Sequence, residues 1–136
     1  MSNFKLQTLN PNKDYAEPHF FVLSKGMNAG KPSRTAFTNS FVVICKSEKE
    51  LNHIYWVAFA LSNSNCLRRY LKGSVVPFIS INDYRNNLTT SLNRVKTADL
   101  LTYLTSIQNL ENLEALTRKN LDSIKKLKIS ISRKLA

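Results

Sequence analysis

Phe41-Val42-Val43-Ile44-Cys45-Lys46-Ser47-Glu48-Lys49-Glu50-Leu51 joins two local signals in one short stretch. Its first five residues are apolar without interruption, the pattern of a strand buried on both faces. Ser47 then opens a capping box: its hydroxyl can accept from the Glu50 amide, while the Glu50 carboxylate reaches back to a free amide at the helix start. Beyond it Leu51, Ile54, Tyr55, Ala58 and Leu61 recur at helical spacing, which predicts an amphipathic helix to about Leu61. A buried strand feeding a capped helix implies an α+β fold, with helices packed on a small irregular sheet.

Upstream, Phe20-Phe21-Val22-Leu23 is a second β-type run. Residues 1–18 are polar, with Pro11 and Pro18, and predict an arm or an irregular first strand. The intervening loop, Ser24 to Pro32, holds two of the chain's three glycines. Glycine adopts backbone conformations closed to other residues and lets the main chain approach a ligand. The loop is not a P-loop, because Gly26 and Gly30 are four apart and Pro32 follows Lys31. Lys25, Asn28 and Lys31 in this loop, with Arg34 just beyond, suit contacts to phosphate; the plainer alternative is a flexible turn with solvated lysines.

Downstream, Asn63 to Asn65 interrupts the helix, and Cys66, Leu67, Tyr70 and Leu71 mark a further helical turn or two that Gly73 stops. Val75 to Ile79 is expected to cross the core as a brief extended segment, with Pro77 holding Val76 out of the α region. Ser80 can cap a short helix through about Asn87, with Asp83 in its first turn. Arg68, Arg69 and Lys72 surround Tyr70; arginine can grip phosphate or a guanine edge, whereas the default is a solvated face over a core Tyr70. Trp56 is expected in the core.

After Pro77 the chain has neither glycine nor proline. Thr97 can cap a helix beginning at Ala98. Leu100, Leu104, Ile107 and Leu110 mark an apolar stripe that Leu113, Leu121, Ile124, Leu127, Ile131 and Leu135 continue imperfectly, weakened in the middle by Thr117 and Asn120. The pattern fits one helix of about 57 Å, at 1.5 Å per residue, or a hairpin of two joined near residues 109–112. Either way part of the stripe should meet a partner helix, and Leu113, Ile124, Leu127 and Ile131 are the residues expected to do so. The chain thus divides into an α+β unit with an N-terminal arm, residues 1–96, and a basic amphipathic helical segment, residues 97–136.

Lysine and arginine outnumber aspartate and glutamate 20 to 9, a net charge of +11. That surplus favours polyanion partners through counterion release. Residues 118–136 carry seven cations against Asp122 alone, a surplus of +6. Catalysis has little to stand on. His19 and His53 are far apart and lack a motif acid, cysteine or second histidine, and the acidic residues are scattered singly. Cys45 and Cys66 are too few for a disulfide framework and lack metal or redox spacing; Cys45 reads as a small core hydrophobe. No enzyme activity, cofactor, metal or small-molecule substrate is expected. No apolar stretch reaches the roughly 18 residues of a membrane span, the N-terminus does not read as a signal peptide, and the chain reads as cytoplasmic.

The order of features resembles the second half of a target recognition domain from the specificity subunits of type I restriction–modification systems. The resemblance covers about residues 20–88. It runs from the strand Phe21 to Leu23 through the glycine turn Gly26 to Lys31, the buried strand Asn39 to Cys45 and the helix Leu51 to Leu61 with Tyr55. Gly73-Ser74, the apolar stretch Val75 to Ser80 and the acidic helix Asp83 to Leu88 complete it. The proline-containing strand that follows in that family is replaced by Thr89-Thr90-Ser91-Leu92-Asn93-Arg94, and the first half of the domain is nearly absent. The resemblance implies duplex DNA binding, with association through the C-terminal helix. Alternatives are a protein-interaction module docking on a restriction–modification or mobile-element partner, and an RNA-binding protein that stacks bases on Tyr15, Tyr70 or Tyr84.

Overall fold

A computed structural model describes residues 4–95 and 97–136 and divides the chain into two units, Met1–Val95 and Lys96–Ala136. The first unit is built on four antiparallel strands, β1 (Lys5–Thr8), β2 (His19–Leu23), β3 (Pro32–Ser33) and β4 (Ser40–Ile44), in the order β1-β4-β2-β3. The apolar run thus becomes an inner strand, and every residue of β4 is buried. Residues 1–18 supply β1 as their regular part.

Cross-strand register explains why β4 needs no polar face. Phe20 and Val22 of β2 lie opposite Val43 and Phe41 of β4, so these four side chains share one surface of the sheet. Two helices cover it: α1 (Glu48–Asn63) brings Tyr55 edge-on to Phe20 at 5.2 Å, and α2 (Ile81–Arg94) brings Tyr84 to 6.1 Å from Phe41. On the other surface Val42 lies opposite Phe21 and Ile44 opposite His19. There the rings of Tyr15, His19 and Phe21 follow one another at 5.4 and 5.3 Å, which accounts for His19. Its Nδ1 is also 2.8 Å from the Glu17 carbonyl oxygen.

Helix starts follow the capping chemistry. The Ser47 hydroxyl accepts from the Glu50 amide at 3.2 Å, and the Glu50 carboxylate accepts from the Lys46 amide, one residue earlier than a strict capping box requires. Ser80 accepts from the Asp83 amide at 3.1 Å. α1 buries Leu51, Ile54, Val57, Ala58 and Leu61, while Tyr55 and Trp56 are half-buried. Trp56 is therefore not a core residue; it lies beside Tyr55 and Phe59, with ring centroids 5.5 and 5.3 Å away. α2 runs to Arg94, seven residues beyond its expected end, because Tyr84, Leu88 and Leu92 keep one buried line at helical spacing.

The expected core crossing at Val75 to Ile79 is a tight loop instead. Lys72 and Phe78 exchange both backbone hydrogen bonds at 2.8 Å, which turns the chain back and leaves Val75 91% exposed at the tip. Of that run only Ile79 is buried. Gly73 has φ +101, and a Cβ there would meet the Val76 carbonyl oxygen at 2.6 Å, so the turn requires glycine. Burial pushes the Cys45 thiol up to about 11, with Glu50 and Glu48 adding to it, in keeping with its role as a core hydrophobe.

The second unit is one helix, α3 (Thr97–Leu135), of 39 residues; the hairpin alternative does not occur. The expected cap by Thr97 falls on a side chain outside those described. No helix among the described residues is long and apolar enough to cross a membrane.

Candidate nucleic-acid interface

Two loops that are far apart in sequence are stitched together at the C-terminal end of α1. In the first, Gly30 donates to the Leu23 carbonyl at 2.7 Å and Lys31 donates to that of Asn28 at 3.0 Å, so the Ser24–Lys31 segment is a closed turn. It is tied to the Lys72–Ile79 loop by Gly26 N–H to the Pro77 carbonyl, 2.7 Å, and by Ile79 N–H to the Ser24 carbonyl, 3.1 Å. Gly30, at φ +98, is pressed against the segment following α1, where an added Cβ would lie 2.3 Å from Leu67 Cδ1. The expectation of a flexible turn fails for this loop, because its backbone groups are consumed by the stitching.

The interlock decides where the candidate cations go. Lys25 and Lys72 both pair with the backbone of Phe78, so two residues 47 apart in sequence come together. Asn28 and Arg68 line one small pocket of about 50 Å³, with Met27, Ser62, Asn65 and Leu71. Lys31 is exposed on the same closed turn. Arg68 and Arg69 belong to a 3-10 turn, Arg68–Tyr70, which Asn65 sets up by taking a left-handed conformation, φ 62. The turn directs the two arginines to different sides. Arg69 lies 5.4 Å from the Tyr70 ring and lines a larger groove, about 330 Å³, with Asn86, Asn87, Ser91 and Arg94 of α2.

Arg34 does not join this group. Its guanidinium lies 4.3 Å over the Tyr55 ring and donates to Asn52 Oδ1 at 3.1 Å, on the first half of α1. Ten residues of helix, about 15 Å, separate Asn52 from Ser62 at the pocket that holds Arg68. Sequence reading missed Arg94, Asn86 and Asn87, because only the packing of α2 beside the 3-10 turn brings them to Arg69; no local spacing signals it.

One anion lies among these cations. Asp83 is 3.3 Å from Lys72, and its carboxyl is held below the usual carboxylate range, chiefly by the Ser80 hydroxyl and then by Lys72. Lys72 is exposed and Asp83 partly so, which leaves the pair open to solvent screening, so separating it costs little. Tyr84, one of the aromatics offered for base stacking, is fully buried, while Tyr15 and Tyr70 are half-buried. Among the described residues no group of three or more His, Cys, Asp or Glu could hold a metal ion.

The partner-helix residues lie in the second unit and are open. Leu113, Ile124, Leu127 and Ile131 are between 50% and 62% exposed, and Leu110 and Leu121 are similarly bare. Covering the remaining exposed part of each such side chain contributes about 1–2 kcal/mol, roughly half of a complete burial.

No curated protein matches the chain, and no solved structure does. Over residues 6–134 it matches the Family of unknown function (DUF6943), and the chain belongs to that family.

Proposed function

We propose that this protein binds duplex DNA without catalysis, gripping it with the interlocked loops of the first unit and associating through α3. What supports the reading is that Lys25 and Lys72 flank Phe78 on the interlocked loops, that Asn28 and Arg68 line one pocket beside Ser62 of α1, and that Lys31 is exposed on the same closed turn, while Arg69 and Arg94 line a separate groove. Lysines and arginines neutralise phosphates and release counterions, and the Asn28 amide offers a donor and an acceptor to a base edge. Val75, bare at the tip of the loop that Lys72 and Phe78 close, adds an apolar contact of the sort that packs on a thymine methyl. The order of elements that resembles a target recognition domain points the same way. Arg34 is left out of the interface by its contacts with Tyr55 and Asn52.

Fluorescence anisotropy with a labelled duplex tests this. The four cations Lys25, Lys31, Arg68 and Lys72 predict that log affinity falls with log salt at a slope of about 3 to 4, roughly 0.9 for each phosphate neutralised. No binding at about 50 mM salt, where that term is strongest, removes the reading. Single-stranded RNA that displaces the duplex more effectively than unlabelled duplex transfers it to RNA.

A second reading, a protein-interaction module, is favoured by a different observation, the uncovered apolar stripe of α3. It predicts a stoichiometric protein partner that survives nuclease treatment in a pull-down, with no duplex binding by the purified chain.

A further inference from the structure

The charge on α3 is divided by halves. Residues 97–117 carry Asp99, Glu111 and Glu114 with no lysine or arginine, a charge of −3, whereas residues 118–136 carry +6. Compensation of a single helix dipole accounts for charges in the first and last turns only. Here the division runs through the whole length, and the boundary falls at the middle of the helix.

The apolar stripe has a matching symmetry. On a heptad frame Leu110, Thr117, Ile124 and Ile131 occupy one seam position, and Leu113, Asn120, Leu127 and Lys134 occupy the other. Two α3 helices laid antiparallel about a twofold axis between residues 118 and 119 place Leu110 against Leu127 of the second copy. Leu113 then meets Ile124, and Thr117 meets Asn120. The two central polar positions of the stripe therefore face each other, while farther out Ile131 meets Ser106 and Lys134 meets Tyr103. The Thr117 hydroxyl already donates to the Leu113 carbonyl at 2.8 Å, which leaves its oxygen able to accept from the Asn120 amide across the axis. Glu114, whose carboxylate also pairs with Arg118 one turn along its own helix, lies at the same flanking heptad position as Lys128, so in this arrangement carboxylate and ammonium line the same edge.

A parallel pair does the opposite. It sets Asn120 on Asn120 and Lys134 on Lys134, and it lays the two +6 halves side by side. Packed helix axes are about 8–10 Å apart, close to the screening length at physiological salt, so these charges are felt.

We infer that α3 pairs antiparallel with α3 of a second copy of this chain, forming a twofold-symmetric dimer centred between residues 118 and 119. The inference rests on α3 being the association element proposed above and names its occupant. A twofold contact is self-complementary and closes at two chains.

The test uses the full chain, nuclease-treated, in a Cys66→Ser background, because Cys66 is an exposed thiol whereas Cys45 is buried. Sedimentation should show a dimer that dissociates as salt rises, since opposite charges face each other. Under mild oxidation Leu110→Cys mixed with Leu127→Cys should give a disulfide joining one of each, and Leu110→Cys alone should not link to itself. Both positions are exposed, so neither change disturbs the packed first unit. Glu114→Lys should lose the dimer, and Lys128→Glu in the same chain should restore it. A monomer at every concentration, a dimer that tightens with salt, or self-linked Leu110→Cys each overturns the inference. Duplex binding by the first unit survives any of those results, and a dimer that ignores DNA defeats only the DNA reading.

Discussion

Gly30 shows how one backbone conformation holds two loops in place. Its φ of +98 is open to glycine, and its missing Cβ is the space occupied by Leu67. Gly30→Ala is therefore expected to destabilise the protein by more than about 1 kcal/mol, read as a lower urea midpoint, and to weaken duplex binding with it. Tyr84 makes the reverse prediction. Its side chain is fully buried, its hydroxyl finds no hydrogen-bond partner among the described residues, and burial raises its pKa. Removing an unsatisfied buried hydroxyl recovers its desolvation cost, so Tyr84→Phe should raise stability by about 1 kcal/mol or more; a lower thermal midpoint would contradict this. Asp83 sets a pH dependence. Its folded pKa lies below the unfolded value, so its stabilisation is present above the ordinary carboxylate pKa and is lost as pH falls through the folded one. The gap in thermal midpoint between wild type and Asp83→Asn should therefore close in acid. Only part of these roles was legible in the sequence: the glycine loop and the Ser80 cap ahead of Asp83 were read, but their tertiary partners were not. Gly30 read as a loop glycine, Tyr84 read as an exposed ring, and the Lys72 partner of Asp83 depends on where a distant loop lands.

At the scale of elements, local chemistry was readable and pairing was not. The uninterrupted apolar run became β4, and the serines that open α1 and α2 cap them through side-chain oxygens, as their spacing implied. Ser47→Ala should accordingly cost about 1 kcal/mol in chemical denaturation, the usual loss for an N-cap. The apolar segment Val75 to Ile79 misled because composition says nothing about a turn closed by Lys72 and Phe78, whose hydrogen bonds lift the valines out of the core. α2 outran its expected end because its buried line continues at Leu88 and Leu92, among threonines and asparagines that looked like a terminus. For α3 the weak centre at Thr117 and Asn120 left one helix or two open. Absence of glycine and proline let the backbone hydrogen bonds run through, and the polar centre marks the middle of the apolar seam instead of a break.

For the whole molecule, the distribution of charge matters more than its sum. The first unit holds most of the surplus, and its closed turns set Lys25 and Lys72 about Phe78 and Arg68 beside Ser62, while the second unit divides its charge along a single helix. Candidate residues near in sequence were sorted only by tertiary contacts: Arg34 went to Tyr55, Arg68 to Asn28, and Arg69 to Arg94. The most direct test of the DNA grip is the salt slope of duplex affinity for the wild type, a Lys25→Ala, Arg68→Ala double variant and Arg34→Ala. The double variant should shallow the slope by about 1.8, twice the roughly 0.9 of one phosphate contact, while Arg34→Ala keeps the wild-type slope. Equal slopes for the wild type and the double variant, or a loss confined to Arg34→Ala, would contradict it.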